Sequence, residues 1–265
     1  MMAHVTSPPE DGFLRALRAR LPVSAHAHRA ALDELAVARK EIRVLERSVA
    51  SEGKLQKVDD DRFRAVRDEV KRHDRTKLDR NRLWVLWEAV RNTAALGGAA
   101  AEVGTYRGGS AWFIAAAFTE LTGRAPPMDV IDTFEGHPLR QVGERDSHLY
   151  ANEDMFHDTS YADVVEYLAP FPQVTVHAGE FSAVAPRLSE RSYRVVHLDV
   201  DLYEPTLDCL GFFGPRLVPA GVVVIDDYDK PSCPGIRQAA EEFLDGSAGF
   251  QSWNPRTKQL VLVKR

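Results

Sequence analysis

Two valine-rich runs without polar alternation, RVVHL at 194–198 and GVVVI at 221–225, mark the centre of this chain. Unbroken apolar runs of that length predict strands covered on both faces, as in a parallel sheet. Between them Leu207, Leu210, Phe213 and Leu217 recur at roughly helical spacing, room for one crossover helix, and LVPAG at 217–221 closes it off. The whole reads as a strand–helix–strand unit. Upstream, AAAEVGTYRGGSAWFIAAAF after Gly98 predicts a short strand, a tight glycine turn and an apolar helix. MDVIDTF and residues 174–177 predict two more strands, with helices over 161–168 and 236–244. The last residues, FQSWNPRTKQLVLVKR, predict a hairpin turning at 254–258, which adds an antiparallel strand to an otherwise parallel α/β sheet.

Ahead of the sheet, residues 82–95 carry Leu83, Leu86, Trp87 and Val90 at helical spacing and stop at Gly97-Gly98. Trp84 and Trp87 read as packing residues rather than substrate platforms. Residues 51–79 are strongly charged and predict a hinge followed by a surface helix. Within 25–50, Leu35, Ala38, Ile42, Leu45 and Val49 form a narrow apolar seam, open to two readings: an oligomer contact, or packing on the chain's own domain. His26 and His28 in AHAHRA are two apart and do not share a helix face, so they read as surface. The first eleven or so residues, broken by Pro8 and Pro9, read as disordered. The expected division is a helical extension over 1–75 and a sheet domain over 76–265.

The chemistry lies just past each central strand. The first runs into Asp199-Val200-Asp201 and the second into Asp226-Asp227. Parallel neighbours present their carboxyl ends on one edge, where open α/β sheets bind ligands. Carboxylates gathered there repel unless a cation neutralises them, and Mg²⁺ takes oxygen ligands of this type. The bland alternative is that Asp201 and Asp227 only start loops or cap helices. The glycine turn has the spacing E-x-G-x-x-x-G-G-S, with Tyr106 where a dinucleotide fingerprint needs glycine, so hydride transfer is disfavoured. Asp132 ends the second strand, where such folds hold ribose hydroxyls; a helix cap is the equal alternative. Residues 135–161 are polar and aperiodic, either a lid or disorder. His137, Tyr150 and His157 in it read first as solvated positions.

Composition narrows the partners. The 34 basic against 39 acidic residues give a net charge of −5, which offers no footprint for nucleic acid. The two cysteines, Cys209 and Cys233, fall in the crossover helix and in a turn, so no disulfide is expected and a reducing cytoplasm fits best. No apolar run reaches bilayer length, and no signal peptide is legible.

EVGTYRGGS, IDTFEGHP, AGEF and, above all, LDVDLYEPTLDCL, GVVVIDDYD and GIRQAAEEF resemble the macrocin O-methyltransferase family, over roughly residue 83 to the C-terminus. The resemblance implies a Rossmann-like class I sheet for S-adenosylmethionine (SAM), helices on both faces and a reversed final strand. It implies a Mg²⁺-dependent methyl transfer to a hydroxyl of a sugar-bearing natural product, by a homo-oligomer such as a dimer. Carried over, Glu102, Gly104 and the backbone through Thr105, Tyr106, Arg107, Gly108 and Ser110 cradle the methionine part of SAM. Asp132 holds the ribose, and Gly179, Glu180 and Phe181 border the adenine. Asp199, Asp226 and Asp227 are the metal ligands; Asp199 also meets the cofactor and accepts the substrate proton, with Asp201 the second candidate base. Val200 and Glu180 depart from the family's usual glycine and aromatic residue, and the lid is shorter. Competing readings are a catechol-type or carboxyl methyltransferase and a SAM-binding scaffold.

Overall fold

The structure, a computed structural model, describes residues 60–137, 139–146 and 156–265. The expected disordered start and the seam over 35–49 lie outside them. A compact unit takes in Leu55–Arg265. It opens with α1 (Asp61–Arg72), capped by the Asp60 carboxylate, which accepts the backbone N–H groups of Arg62 and Phe63. Phe63, Val66 and Val70 lie on one face of α1 and are buried in the core. The helix expected on the surface of an extension therefore belongs to the sheet domain, because its three apolar residues fall at helical spacing among the charges. Then come α2 (Arg80–Thr93), β1 (Ala99–Val103), α3 (Gly109–Thr122), β2 (Met128–Asp132), α4 (Tyr161–Leu168) and β3 (Val174–Ala178). The chain continues through a short α5 (Phe181–Val184), β4 (Tyr193–Leu198), α6 (Tyr203–Arg216), β5 (Leu217–Ile225), α7 (Pro234–Asp245), β6 (Phe250–Trp253) and β7 (Leu260–Lys264).

The seven strands run in the order β3-β2-β1-β4-β5-β7-β6. All neighbours from β3 to β5 are parallel; β7 pairs antiparallel with both β5 and β6, the reversal that the terminal hairpin predicted. Alternate residues of each strand feed two cores. Ala100, Val195, Val222 and Val224 pack under α1, α2 and α3; Ala101, Val196, Leu198, Val223 and Ile225 pack under α6 and α7. Burial on both faces is what the unbroken valine runs require.

The segment LVPAG closes off α6 as expected, and it is also the start of β5. Leu217 pairs with Tyr193, and after a register shift Val222 pairs with Val195, so 218–221 bulge out of the ladder with Ala220 at φ 62°. Proline cannot donate to a ladder, and the bulge is where Pro219 is tolerated. Strand order reverses between β1 and β4, so the connections leaving their carboxyl ends part to opposite faces of the sheet around a crevice.

Candidate active site

Backbone bonds one residue past each strand bring the sites into line. Gly104 N–H donates to Ile131 O at 2.9 Å, Asp199 N–H to Val103 O at 2.9 Å, Asp226 N–H to Leu198 O at 2.8 Å and Gly179 N–H to Asp132 O at 2.9 Å. Gly104 has φ 84°, and a Cβ built there would stand 2.0 Å from Asp199 O, so the glycine turn and the first acid strand touch backbone to backbone. A cavity of about 390 Å³ opens above this edge. It is lined by Gly104, Thr105, Tyr106, Ser110, Asp132, Gly179, Glu180 and Phe181 on one side and by Asp199, Asp201 and Asp227 on the other. Most of the residues inferred from sequence therefore do meet in one space.

Of those assigned to the cofactor, three do not line it. Glu102 is fully buried behind the glycine turn, where one oxygen accepts Thr105 Oγ1 at 2.5 Å and the other meets His197 Nδ1 at 2.7 Å. It braces the turn instead of facing the cavity. Gly108 (φ 80°) lies under α4, with Val164 Cγ1 3.1 Å from where a Cβ would sit. Arg107 turns outward to Asp158, and its guanidinium sits 5.1 Å from the Tyr106 ring centroid. That contact clasps residues 156–160, the described end of the expected lid, to the glycine turn; Tyr106 OH donates to Asp158, and Thr159 Oγ1 donates to Tyr106 O at 2.6 Å. The Phe156 ring packs edge-on against Tyr106 at 5.3 Å and His137 at 5.2 Å.

Asp132 accepts Tyr106 N–H at 2.7 Å on one oxygen and Phe134 N–H at 2.8 Å on the other. Burial raises its pKa, and the backbone donors of Phe134, Tyr106 and Thr105 oppose the rise. The carboxylate as a whole keeps accepting capacity for a ligand hydroxyl. Glu180 is engaged at the rim by Arg140 and by Gln141 Nε2 at 3.2 Å.

The acids form the other half. One oxygen from each of Asp199, Asp226 and Asp227 lies within 4.8 Å of the others. Asp201 (φ 61°) and Asp227 (φ 54°) both sit in the left-handed region. Leu202 N–H donates to Val200 O at 2.8 Å, closing a three-residue turn on Asp201. Backbone strain of this kind persists where the surroundings fix it, commonly at functional sites. Burial, then the neighbouring Asp226, Asp201 and Asp227, hold the Asp199 carboxyl well above the usual range. Burial brings Asp226 to about 6 although Arg82 and His197 pull it down. Asp201 goes the other way: burial would raise it, but His137 and Lys230 outweigh that and lower it.

Sequence reasoning missed the cations. Arg82 Nη1 donates to Asp226 Oδ2 at 2.5 Å and to Asp227 Oδ1 at 3.3 Å. Lys230 pairs with Asp227 and stands 3.8 Å from Asp201 Oδ1. His137, expected as a solvated loop position, lines the cavity with Nε2 3.4 Å from Asp201 Oδ2. The Cys233 thiol donates to Asp201 Oδ1 at 3.4 Å. Arg82 and Lys230 offset part of the negative charge that the four acids carry when ionised. Asp226 Oδ1 is buried without a hydrogen-bond partner, the state expected of a ligand atom awaiting an ion. The donor set therefore fits a hard divalent metal.

Residues 12–248 match the family described as Macrocin-O-methyltransferase (TylF). The chain belongs to this family. Among curated proteins, it is 35% identical over 142 residues, half of this chain, to an 8-demethyl-8-(2,3-dimethoxy-alpha-L-rhamnosyl)-tetracenomycin-C 4'-O-methyltransferase of Streptomyces olivaceus, covering 53% of that protein. It is 31% identical over 156 residues to the mycinamicin III 3''-O-methyltransferase of Micromonospora griseorubida, 54% of this chain and 59% of that one. The chain thus spans little more than half the length of these relatives. The solved structure of the O-methyltransferase NovP shares the fold, with a TM-score of 0.63 at 22% identity over 72% of this chain and 82% of that one. The macrocin O-methyltransferase fold is therefore the frame on which this acid cluster and glycine turn sit. Among the described residues no helix is long and apolar enough to cross a membrane.

Proposed function

We propose that this protein transfers a methyl group from SAM to a sugar hydroxyl of a glycosylated natural product, with a divalent cation at the acid cluster. The observation that carries the reading is the shared cavity, which faces Asp132 and the glycine turn on one side and has the aspartate cluster on the other. Gly104, Thr105, Tyr106 and Ser110 would hold the methionine portion of SAM, Asp132 would accept its ribose hydroxyls, and Gly179 to Phe181 would flank its adenine. Asp199, Asp226 and Asp227 would hold Mg²⁺, which when bound acidifies a coordinated hydroxyl. Asp201, which lines the cavity wall beside Asp199, would take up the acceptor proton. SAM bound there would supply the methyl group for in-line attack by the acceptor oxygen, with S-adenosylhomocysteine as the leaving group. The clasp of Asp158 and Thr159 on the glycine turn fixes the described end of the lid beside the proposed SAM site.

Asp132→Ala is expected to raise the KM for SAM by about 10–100-fold, the worth of one or two charged hydrogen bonds, with kcat changed far less. An unchanged KM would remove Asp132 from the cofactor's site. The pH dependence has a definite sign. Asp226 is raised to about 6, so below that pH protons compete with the cation for it. Mn²⁺ affinity, titrated from about pH 5 to about pH 8, is expected to fall as the pH drops through 6. The activity itself is tested by incubating the protein with SAM, Mg²⁺ and a panel of rhamnosylated acceptors, catechols and carboxylates, with S-adenosylhomocysteine as the readout. Product from the glycosides is expected; product from catechols or carboxylates alone would replace the acceptor class.

A further inference from the structure

Arg82 comes from the first turn of α2, whose N-cap Asp79 accepts the Arg82 backbone N–H at 2.9 Å. Its side chain is only 15% exposed and crosses to the end of β5. Nη1 reaches both metal-site carboxylates, Asp226 Oδ2 at 2.5 Å and Asp227 Oδ1 at 3.3 Å, while Nη2 donates to Lys77 O at 3.1 Å. That second bond ties the guanidinium to residues 75–78, which line the same cavity. The oxygen that Arg82 leaves alone, Asp226 Oδ1, is the buried one without a partner.

We infer that Arg82 is a positioning residue for cation binding: it grips Asp226 by Oδ2 and Asp227 by Oδ1, and so presents Asp226 Oδ1 as a fixed ligand. The inference rests on the proposed metal role of the acid cluster. Two effects oppose each other at this position. As a positive charge, Arg82 repels a cation, and by charge alone its removal would tighten metal binding. As a clamp, it keeps a carboxylate from turning away, and removal of such outer partners weakens metal binding by about 10–100-fold. The geometry favours the clamp. One guanidinium holds two ligands and is itself held by the Lys77 carbonyl, while the backbone it springs from is fixed by the Asp79 cap, so the ligand geometry is set in the folded chain before any ion arrives.

The sign of one measurement decides. Mn²⁺ binding is measured by electron paramagnetic resonance in the presence of SAM and a vicinal diol, for the wild type, Arg82→Gln and Arg82→Lys. SAM affinity and thermal midpoint are read alongside. Arg82→Gln is expected to bind Mn²⁺ about 10–100-fold more weakly with SAM affinity retained, and Arg82→Lys, which keeps the charge without the two-pronged reach, to fall between. Equal or tighter Mn²⁺ binding by Arg82→Gln would overturn the clamp and leave the metal site standing. Should Arg82→Gln not fold, Arg82→Lys serves alone, and wild-type Mn²⁺ affinity in it overturns the inference. No Mn²⁺ binding by the wild type would overturn the metal reading itself, and the clamp with it.

Discussion

Asp199→Ala is expected to lower turnover by about 10³-fold or more while leaving SAM affinity nearly intact. Asp199 comes directly after β4, and its carboxylate shares the cluster with Asp226 and Asp227 and faces the cavity. Its backbone, not its side chain, abuts the glycine turn through the Gly104 contact. Truncation at Cβ therefore removes a metal ligand and leaves the cofactor cradle in place. The loss should appear in kcat and in kcat/KM for the acceptor together, as for an interaction made in the transition state. Steady-state kinetics with isothermal titration of SAM separates the two sites. Full turnover by Asp199→Ala would remove this residue from the chemistry.

Gly104→Ala has the largest expected effect on the fold. Glycine here adopts φ 84°, and an alanine Cβ would lie 2.0 Å from Asp199 O and 2.7 Å from Asp199 C. Both obstacles are backbone, so no side-chain rotation relieves them. Left-handed strain costs on the order of 1–3 kcal/mol and the overlap adds to it, so a loss of at least about 3 kcal/mol is expected. The urea midpoint should drop sharply, and whatever folds should have lost SAM affinity as the β1 and β4 ends are forced apart. By contrast, a Cβ at Gly123 would meet nothing within 4 Å, and although its φ of 84° carries the same local strain, Gly123→Ala is expected to cost much less. A similar midpoint for the two variants would contradict the close-approach account.

How much of the fold and site was legible depended on how local each signal was. The β4–α6–β5 unit was readable because apolar runs buried on both faces leave no alternation, and its acids were readable because they come directly after those runs. The reversed β7 was readable from the final hairpin. The bulge in β5 was not, since Leu-Val-Pro-Ala-Gly has the composition of a turn and only the pairing partner, β4, shows the register shift. Glu102 was placed at the cofactor by the family resemblance. Its true partner, His197, is its neighbour across the parallel register, which a linear reading does not display. Arg82 was the hardest to see, because it lies 144 residues from Asp226 and reads as one more charge at the start of an amphipathic helix. A cluster of four acids did signal that cations were needed; the fold supplies two of them from side chains.

The most direct test of the central claim, that the acid cluster is a metal site serving methyl transfer, is a calorimetric titration of Mg²⁺ into the SAM-bound protein with a vicinal diol present, repeated on Asp226→Ala. The account predicts Mg²⁺ binding by the wild type, its loss in Asp226→Ala with SAM binding kept, and methyl transfer that stops with EDTA and returns with Mg²⁺. Methyl transfer that continues undiminished in EDTA, or Mg²⁺ binding unaltered by Asp226→Ala, would contradict it.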